Sequence, residues 1–131
     1  MFDHVSIGVC DLARAKRFYD AVLEPLGYRH LSEDAGALGY GSSKVALWIG
    51  KVDRPVPADK GSNLHFCIAA PSHESAGAFH AAAVSAGGRD NGTPGLRKDY
   101  GPNYYTAFAI DPDGYRIRAI AFRNSASNCA M

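Results

Sequence analysis

The stretch FDHVSIGVCDLARAKRFYDAVLEPLG, residues 2–27, decides the fold, because its pattern recurs 61 residues further along the chain. The second copy, residues 63–88, is NLHFCIAAPSHESAGAFHAAAVSAGG. Self-similarity at a fixed spacing is the mark of a duplicated structural unit. Both copies therefore predict the same order of elements, which is a short strand, a helix and a closing glycine. The matched positions include His4 and His65, Ile7 and Ile68, Phe18 and Phe79, and Gly27 and Gly88.

The local signals inside each copy support this order. Residues 2–9 contain β-branched side chains in partial alternation, which indicates a strand. Asp11 stands where a helix N-cap is expected, and apolar residues then recur every three or four positions on one helical face. Gly27 suits a left-handed residue at the end of that helix. In the second copy, Ser72 is the expected cap of a helix that ends at residues 87–88.

Short strands are predicted after each helix. A second alignment, at an offset of 71 residues, places Leu47 on Arg118 and leaves the second half ten residues longer than the first. The additional residues fall within residues 90–103, a stretch rich in glycine and proline, and loops of that length are often lids or binding loops. The predicted strands are residues 28–33, 37–41 and 44–51 in the first half, and 89–93, 104–111 and 115–122 in the second.

These elements predict an α+β fold made of two βαβββ modules. Each module forms a strongly curved mixed sheet with its helix on the convex side, and the paired sheets enclose a cavity. We expect a single domain, in which module one covers about residues 1–52 and module two about residues 63–123. A linker occupies about residues 53–62, and residues 124–131 form a polar tail.

Composition excludes several classes of partner. The formal net charge is +1, so we expect no nucleic-acid partner and no charge-driven membrane binding. The apolar runs are too short to span a bilayer, and no signal peptide is expected at the start of the chain. The three cysteines, Cys10, Cys67 and Cys129, show no disulfide pattern, so we expect a cytoplasmic protein.

The duplication places chemically useful side chains at equivalent positions. Under the pseudo-twofold relation, His4 faces His65 across the cavity, and Leu47 faces Arg118. Two imidazoles on paired strands suit iron, manganese, nickel, cobalt or zinc. Each histidine alone also fits a buried, hydrogen-bonded role, and Arg118 also fits a surface ion pair.

Three segments resemble the signature stretches of the vicinal oxygen chelate superfamily, which contains glyoxalases, bleomycin-resistance proteins and dioxygenases. They are FDHVSIGVCDLARAKRFYDAVLEPLGY, NLHFCIA and DPDGYRIRAI, and the resemblance extends to about residue 122. It implies that histidines at His4 and His65, together with a glutamate at the position of Arg118, hold a divalent metal that acts as a Lewis acid. It also implies a homodimer.

This chain departs from the family pattern at the acidic ligand, which is replaced by Arg118. Two unit charges about 4 Å apart interact by about 4 kcal/mol at an effective dielectric of about 20, and a dication doubles that repulsion. Arginine does not deprotonate to relieve it. We therefore expect no metal triad of the usual kind; His4 and His65 remain the metal ligands if a divalent ion is the cofactor.

Two functions remain open. In the first, a binding protein holds a small anionic organic molecule directly, with His4, His65 and Arg118 as substrate-binding residues. In the second, a metal-dependent enzyme of the lactoylglutathione lyase, dioxygenase or thiol transferase type uses His4 and His65. The catalytic residues are not assigned from the sequence. The other expected ligand contacts are Trp48, Tyr100, Tyr104 and Tyr105, although each of these aromatic residues also fits a packing role.

Overall fold

The computed structural model describes residues 1–56 and 60–122. Within these residues the strands form two curved sheets, one of four strands and one of five, and each sheet carries one helix. The mixed α+β fold with two open sheets confirms the predicted fold class. Part of the predicted linker, the polar tail and Cys129 lie outside the described residues.

The first module contains one helix and four strands. β1 (Val5–Val9) leads into α1 (Leu12–Leu23), and a short 3-10 turn (Glu24–Leu26) follows. The sheet order is β1-β4-β3-β2, in which β1 and β4 are parallel and the other neighbours are antiparallel. The remaining strands are β2 (Arg29–Glu33), β3 (Ala37–Gly41) and β4 (Val45–Lys51).

The second module repeats this arrangement. The sheet order is β5-β9-β8-β6, and β7 also pairs with β8. Of residues 89–93, predicted as one strand, only Arg89–Asp90 form a strand, β6. A separate short strand, β7, follows at Gly95–Leu96, and both β6 and β7 pair with β8. The elements are β5 (Phe66–Ala69), α2 (His73–Ser85), β6 (Arg89–Asp90), β7 (Gly95–Leu96), β8 (Tyr105–Ile110) and β9 (Arg116–Ala121), with 3-10 turns at Lys60–Ser62 and Lys98–Tyr100.

The helix boundaries follow the predicted caps. The Asp11 side chain accepts a hydrogen bond from the Arg14 N–H, and the Ser72 side chain caps α2 in the same way. These caps satisfy backbone donors that have no partner within the helix. Gly27 is left-handed, with φ of 87°, as predicted for the residue that ends the first helical segment.

The core lies between the helices and the sheets. Phe18 and Tyr19 from α1 and Phe79 from α2 are fully buried, and the two helices pack on each other. Polar links also join the modules: the Tyr19 hydroxyl donates to Asp111, and the Tyr115 hydroxyl donates to the Gly8 carbonyl at 2.6 Å. These contacts hold the two sheets in a fixed relation to each other.

Candidate functional site

A cleft separates the two modules where β1 and β5 stand at the ends of their sheets. Its volume is about 430 Å³. Strand alternation points the odd-numbered residues of β1 and the even-numbered residues of β5 toward the helices, and these side chains form most of its apolar wall. The lining includes Val5, Ile7, Tyr19 and Leu23 from module one, and Phe66, Ile68 and Ile117 from module two. Apolar clefts with few polar groups are the usual form of small-molecule sites.

The two predicted histidines have different surroundings within the chain. His65 lines the cleft, and its Nδ1 lies 2.9 Å from the Asn63 carbonyl oxygen. His4 is about half exposed, and its Nδ1 lies 2.8 Å from Asp3 Oδ2. The hydrogen bond from Lys44 to Asp3, followed by that from His4, lowers the pKa of Asp3 to about 2. His4 is therefore tied to a charged surface group, whereas His65 faces an apolar space.

The strand register corrects one predicted equivalence. β1 pairs Val5 with Leu47, and β5 pairs Phe66 with Ile117. Leu47 is therefore equivalent to Ile117, and its predicted match to Arg118 is wrong by one residue. Neighbouring strand residues point to opposite faces of a sheet, so this one-residue error places the residue equivalent to Arg118 on the wrong face. The second half is also nine residues longer, rather than ten, between these positions.

Trp48 is the residue equivalent to Arg118. It is the partner of Ser6 on β1 and of Gly39 on β3, and it faces away from the helices. A Cβ at Gly39 would lie 2.8 Å from the Trp48 ring, so glycine makes room for the indole against the sheet. The concave face of module one therefore presents an aromatic ring at the position where module two presents a guanidinium.

Arg118 lies on the concave face of module two, between β5 and β8. Its cross-strand partners are Cys67 and Phe108, and its guanidinium carbon is 4.8 Å from the centre of the Phe108 ring. Among residues 1–56 and 60–122, no carboxylate forms an ion pair with Arg118. This half-buried cation has an aromatic neighbour but no counter-charge in the described chain.

Cys67 connects the cleft with Arg118. Cys67 is among the residues that border the cleft, and Arg118 is directly across from it on β9. Burial raises the pKa of the Cys67 thiol, and the neighbouring Arg118 charge partly offsets that rise. A thiol with a raised pKa is mostly protonated near neutral pH, so Cys67 is better suited to line a site than to act as a nucleophile.

The structure places the three predicted tyrosines away from the cleft lining. Tyr105 points to the helix side of β8 and stacks on His73, with ring centres 4.8 Å apart. Tyr104 packs against Tyr100 and Phe122. Tyr100 and Phe122 are largely exposed, so this group forms an aromatic surface at the end of the long loop.

The donor set does not fit a divalent metal. In the described part of the chain, no three residues of the His, Cys, Asp or Glu types are grouped as metal ligands. Arg118, which stands at the position of the expected acidic ligand, supplies no ligand atom for a dication, and neither does Trp48, its equivalent in module one. No hydrogen bond links His4, His65 and Arg118 to one another among the described residues.

Two residues near Arg118 that the sequence did not identify, Arg97 and Phe108, lie on the insertion and on β8. No motif in the sequence marks Arg97, yet its guanidinium carbon lies 5.1 Å from the Phe108 ring centre. Phe108 gave no functional signal, because a phenylalanine in an alternating strand is normally a packing residue. The loop path brings them together, and sequence spacing does not reveal that path.

The fold and the cleft define a two-module α+β protein with paired curved sheets, and comparisons with known proteins agree. The model of the Glyoxalase/Bleomycin resistance protein/Dioxygenase superfamily matches residues 1–119. The chain belongs to this superfamily.

Solved structures show the same architecture. A glyoxalase/bleomycin resistance protein from Albidiferax ferrireducens T118 is 36% identical, with a TM-score of 0.81 over 92% of this chain and 98% of that one. A putative glyoxalase from Bacillus halodurans is 25% identical, with a TM-score of 0.71 over 92% and 95% of the two chains. The fosfomycin resistance protein FosX from Listeria monocytogenes shares the fold, with 12% identity and a TM-score of 0.68 over 92% of each chain. No curated protein matches the sequence.

Proposed function

We propose that this chain binds a small anionic organic molecule directly, in the cavity between its modules, without the usual metal triad. The observation that carries the proposal is Arg118, which stands where the family pattern has an acidic ligand. A dication about 4 Å from its guanidinium would meet a repulsion of about 8 kcal/mol at an effective dielectric of about 20. The same guanidinium attracts a carboxylate or a phosphate and can bind it with two parallel hydrogen bonds.

The arrangement around Arg118 suits a ligand with an apolar part and a charged end. Cys67 borders the cleft, and Arg118 lies on the next strand, about 5 Å away across the sheet. Arg118 faces the opposite side of the sheet from the apolar wall, so a ligand with its apolar part in the cleft reaches Arg118 around the edge strand β5. His65, on the cleft wall, supplies a ring nitrogen for a further hydrogen bond.

Thermal-shift titrations of the chelator-treated protein test this proposal. Benzoate and inorganic phosphate should raise the melting temperature of the wild type in a concentration-dependent way, because a ligand that binds only the folded state stabilises it. Arg118→Gln should lose most of that rise, whereas Arg29→Gln, which removes an exposed charge from β2, should keep it. Stabilisation by manganese, nickel or zinc, with none by the anions, would contradict the proposal and favour the metal-dependent enzyme.

The charge reversal Arg118→Glu tests whether the charge of Arg118 or the geometry of the cavity excludes a divalent metal. Arg118→Glu restores the acidic ligand of the family pattern, so it should gain affinity for divalent metals in calorimetric titrations. If the variant folds but binds no more metal than the wild type, the geometry of the cavity excludes the ion, and the charge of Arg118 does not.

We further propose that the protein is a cytoplasmic homodimer. Within the described residues, no helix is long and apolar enough to cross a membrane. Cys10 and Cys67 are free thiols, which is compatible with a reducing compartment. The dimer is supported by two sheet ends, β1 and β5, whose outer edges have no strand partner in the described chain.

A further inference from the structure

The insertion in module two brings a second guanidinium, that of Arg97, close to the Phe108 ring that Arg118 also approaches. Arg97 follows β7, and its guanidinium carbon is 5.1 Å from the centre of the Phe108 ring. The Arg118 guanidinium carbon is 4.8 Å from the same centre. The Gly92 backbone also lies against this ring, because a Cβ there would be 3.1 Å from it. The loop therefore folds over Phe108 and places both guanidinium carbons about 5 Å from the centre of the same ring, so they are no more than about 10 Å apart.

These two cations have no counter-charge in the described chain. Across residues 1–56 and 60–122, neither guanidinium forms an ion pair with a carboxylate. Among the described residues, Arg97 donates to the carbonyl oxygens of Leu96 and Thr93, at 3.4 and 3.3 Å, and three of its five N–H groups have no acceptor there. Two permanent positive charges at this separation repel each other, and an anion that contacts both guanidiniums relieves that repulsion.

A buried hydroxyl on the same face, that of Thr106, also supports a ligand site here. Thr106 lies two residues before Phe108 on β8, so both side chains project from the concave face. Thr106 is 2% exposed, and its Oγ1 has no hydrogen-bond partner among residues 1–56 and 60–122. Its partner on β7 is Gly95, which has no side chain to satisfy it. Buried polar groups are almost always paired in folded proteins, so this hydroxyl is available to hydrogen-bond a ligand that reaches this face.

We propose that Arg97 and Arg118 together bind one doubly charged oxyanion, of the phosphate monoester or phosphonate class, and that Arg97 sets the preference for it over a carboxylate. This inference rests on the proposed function, because Arg118 must first be an anion site. A carboxylate has one charge and fills one guanidinium fork. A phosphate monoester has three terminal oxygens and close to two charges, which match two guanidiniums.

Phenyl phosphate and benzoate make a matched pair of probes, because they share the ring and differ in the charged group. Isothermal titration calorimetry of the full chain at about pH 7.5 keeps the phosphate mainly dianionic. The wild type should bind phenyl phosphate more tightly than benzoate. Arg97→Gln should weaken phenyl phosphate at least about tenfold and benzoate less than about threefold. Lys98→Gln, the exposed neighbour on the same loop, should change neither.

Two further variants separate the possible failures. Arg97→Lys keeps the charge but loses the planar fork, so its affinity for phenyl phosphate should fall between those of the wild type and Arg97→Gln. Equal losses for both probes in Arg97→Gln, no loss in either, or a wild-type preference for benzoate would overturn the role of Arg97 alone. Unchanged affinities in Arg118→Gln, or no binding of either probe by the wild type, would remove the proposed function as well.

Discussion

Two glycines that match in the internal repeat have different roles. Gly27 has a φ of 87°, and a Cβ there would meet nothing within 4 Å. At Gly88 a Cβ would lie 2.6 Å from both the Phe18 ring and the Ile110 carbonyl oxygen. In the second copy the left-handed conformation is taken by Gly87, with φ of 102°. The repeat therefore preserves the residue at Gly88, although the reason for glycine has changed from backbone conformation to close packing.

Alanine substitutions should separate these roles. Gly88→Ala should lower the free energy of unfolding by about 3 kcal/mol, because the new methyl group overlaps buried atoms. Gly27→Ala should cost about 1 kcal/mol, which is the strain of a left-handed residue that bears a side chain. Urea unfolding midpoints measure both losses, and Gly36→Ala, where a Cβ has space, is the control. A larger loss at Gly27 than at Gly88 would contradict this assignment of roles.

Individual site residues could be predicted only where the repeat or the family pattern marks them. His4, His65 and Arg118 stand out because their spacing matches known positions. Phe108 and Thr106 do not, because their importance comes from a loop that packs over β8 from far along the chain. Sequence periodicity gives the face of a strand, but it does not give the path of an irregular loop.

At the scale of elements, the strands were predictable and their register was less so. β3 covers Ala37–Gly41, as the sequence predicts. The slip at Leu47 arose because residues 45–48, VALW, have no identical residue at the aligned positions in either register, so the alignment could move by one position without losing a match. A register irregularity where Gly41 pairs with Val45 adds to the difficulty, because bulges break the two-residue period.

The turn between β8 and β9 connects the two modules and gives a testable element. The Asp113 carboxylate, 3% exposed, accepts hydrogen bonds from the Cys10 N–H at 3.1 Å and from Arg14 Nη2 at 3.0 Å. Asp113→Ala should lower the free energy of unfolding by about 2 kcal/mol, because it leaves a cation and a backbone donor without their partner. Chemical denaturation measures the loss. The matched control is Asp99→Ala in an exposed turn, and an equal effect of the two substitutions would argue against this connection.

At the scale of the whole molecule, the proposed dimer makes its own prediction. Phe2 is 77% exposed and Leu64 is 47% exposed, and each lies just before a strand whose outer edge is unpaired in the described chain. Exposed apolar side chains beside open sheet edges favour association. Sedimentation velocity should therefore show a dimer for the wild type and a shift toward monomer for Phe2→Asp. Val84→Asp, at a similarly exposed apolar position on α2, should leave the dimer intact, and a monomeric wild type would refute the proposal.

The two short strands β6 and β7 have a consequence for engineering this scaffold. Both pair with β8, so the inserted segment begins and ends next to the same strand. Its length and composition can therefore be exchanged without altering how the other strands are ordered. A library of grafted segments at this point would vary recognition while the duplicated framework stays constant.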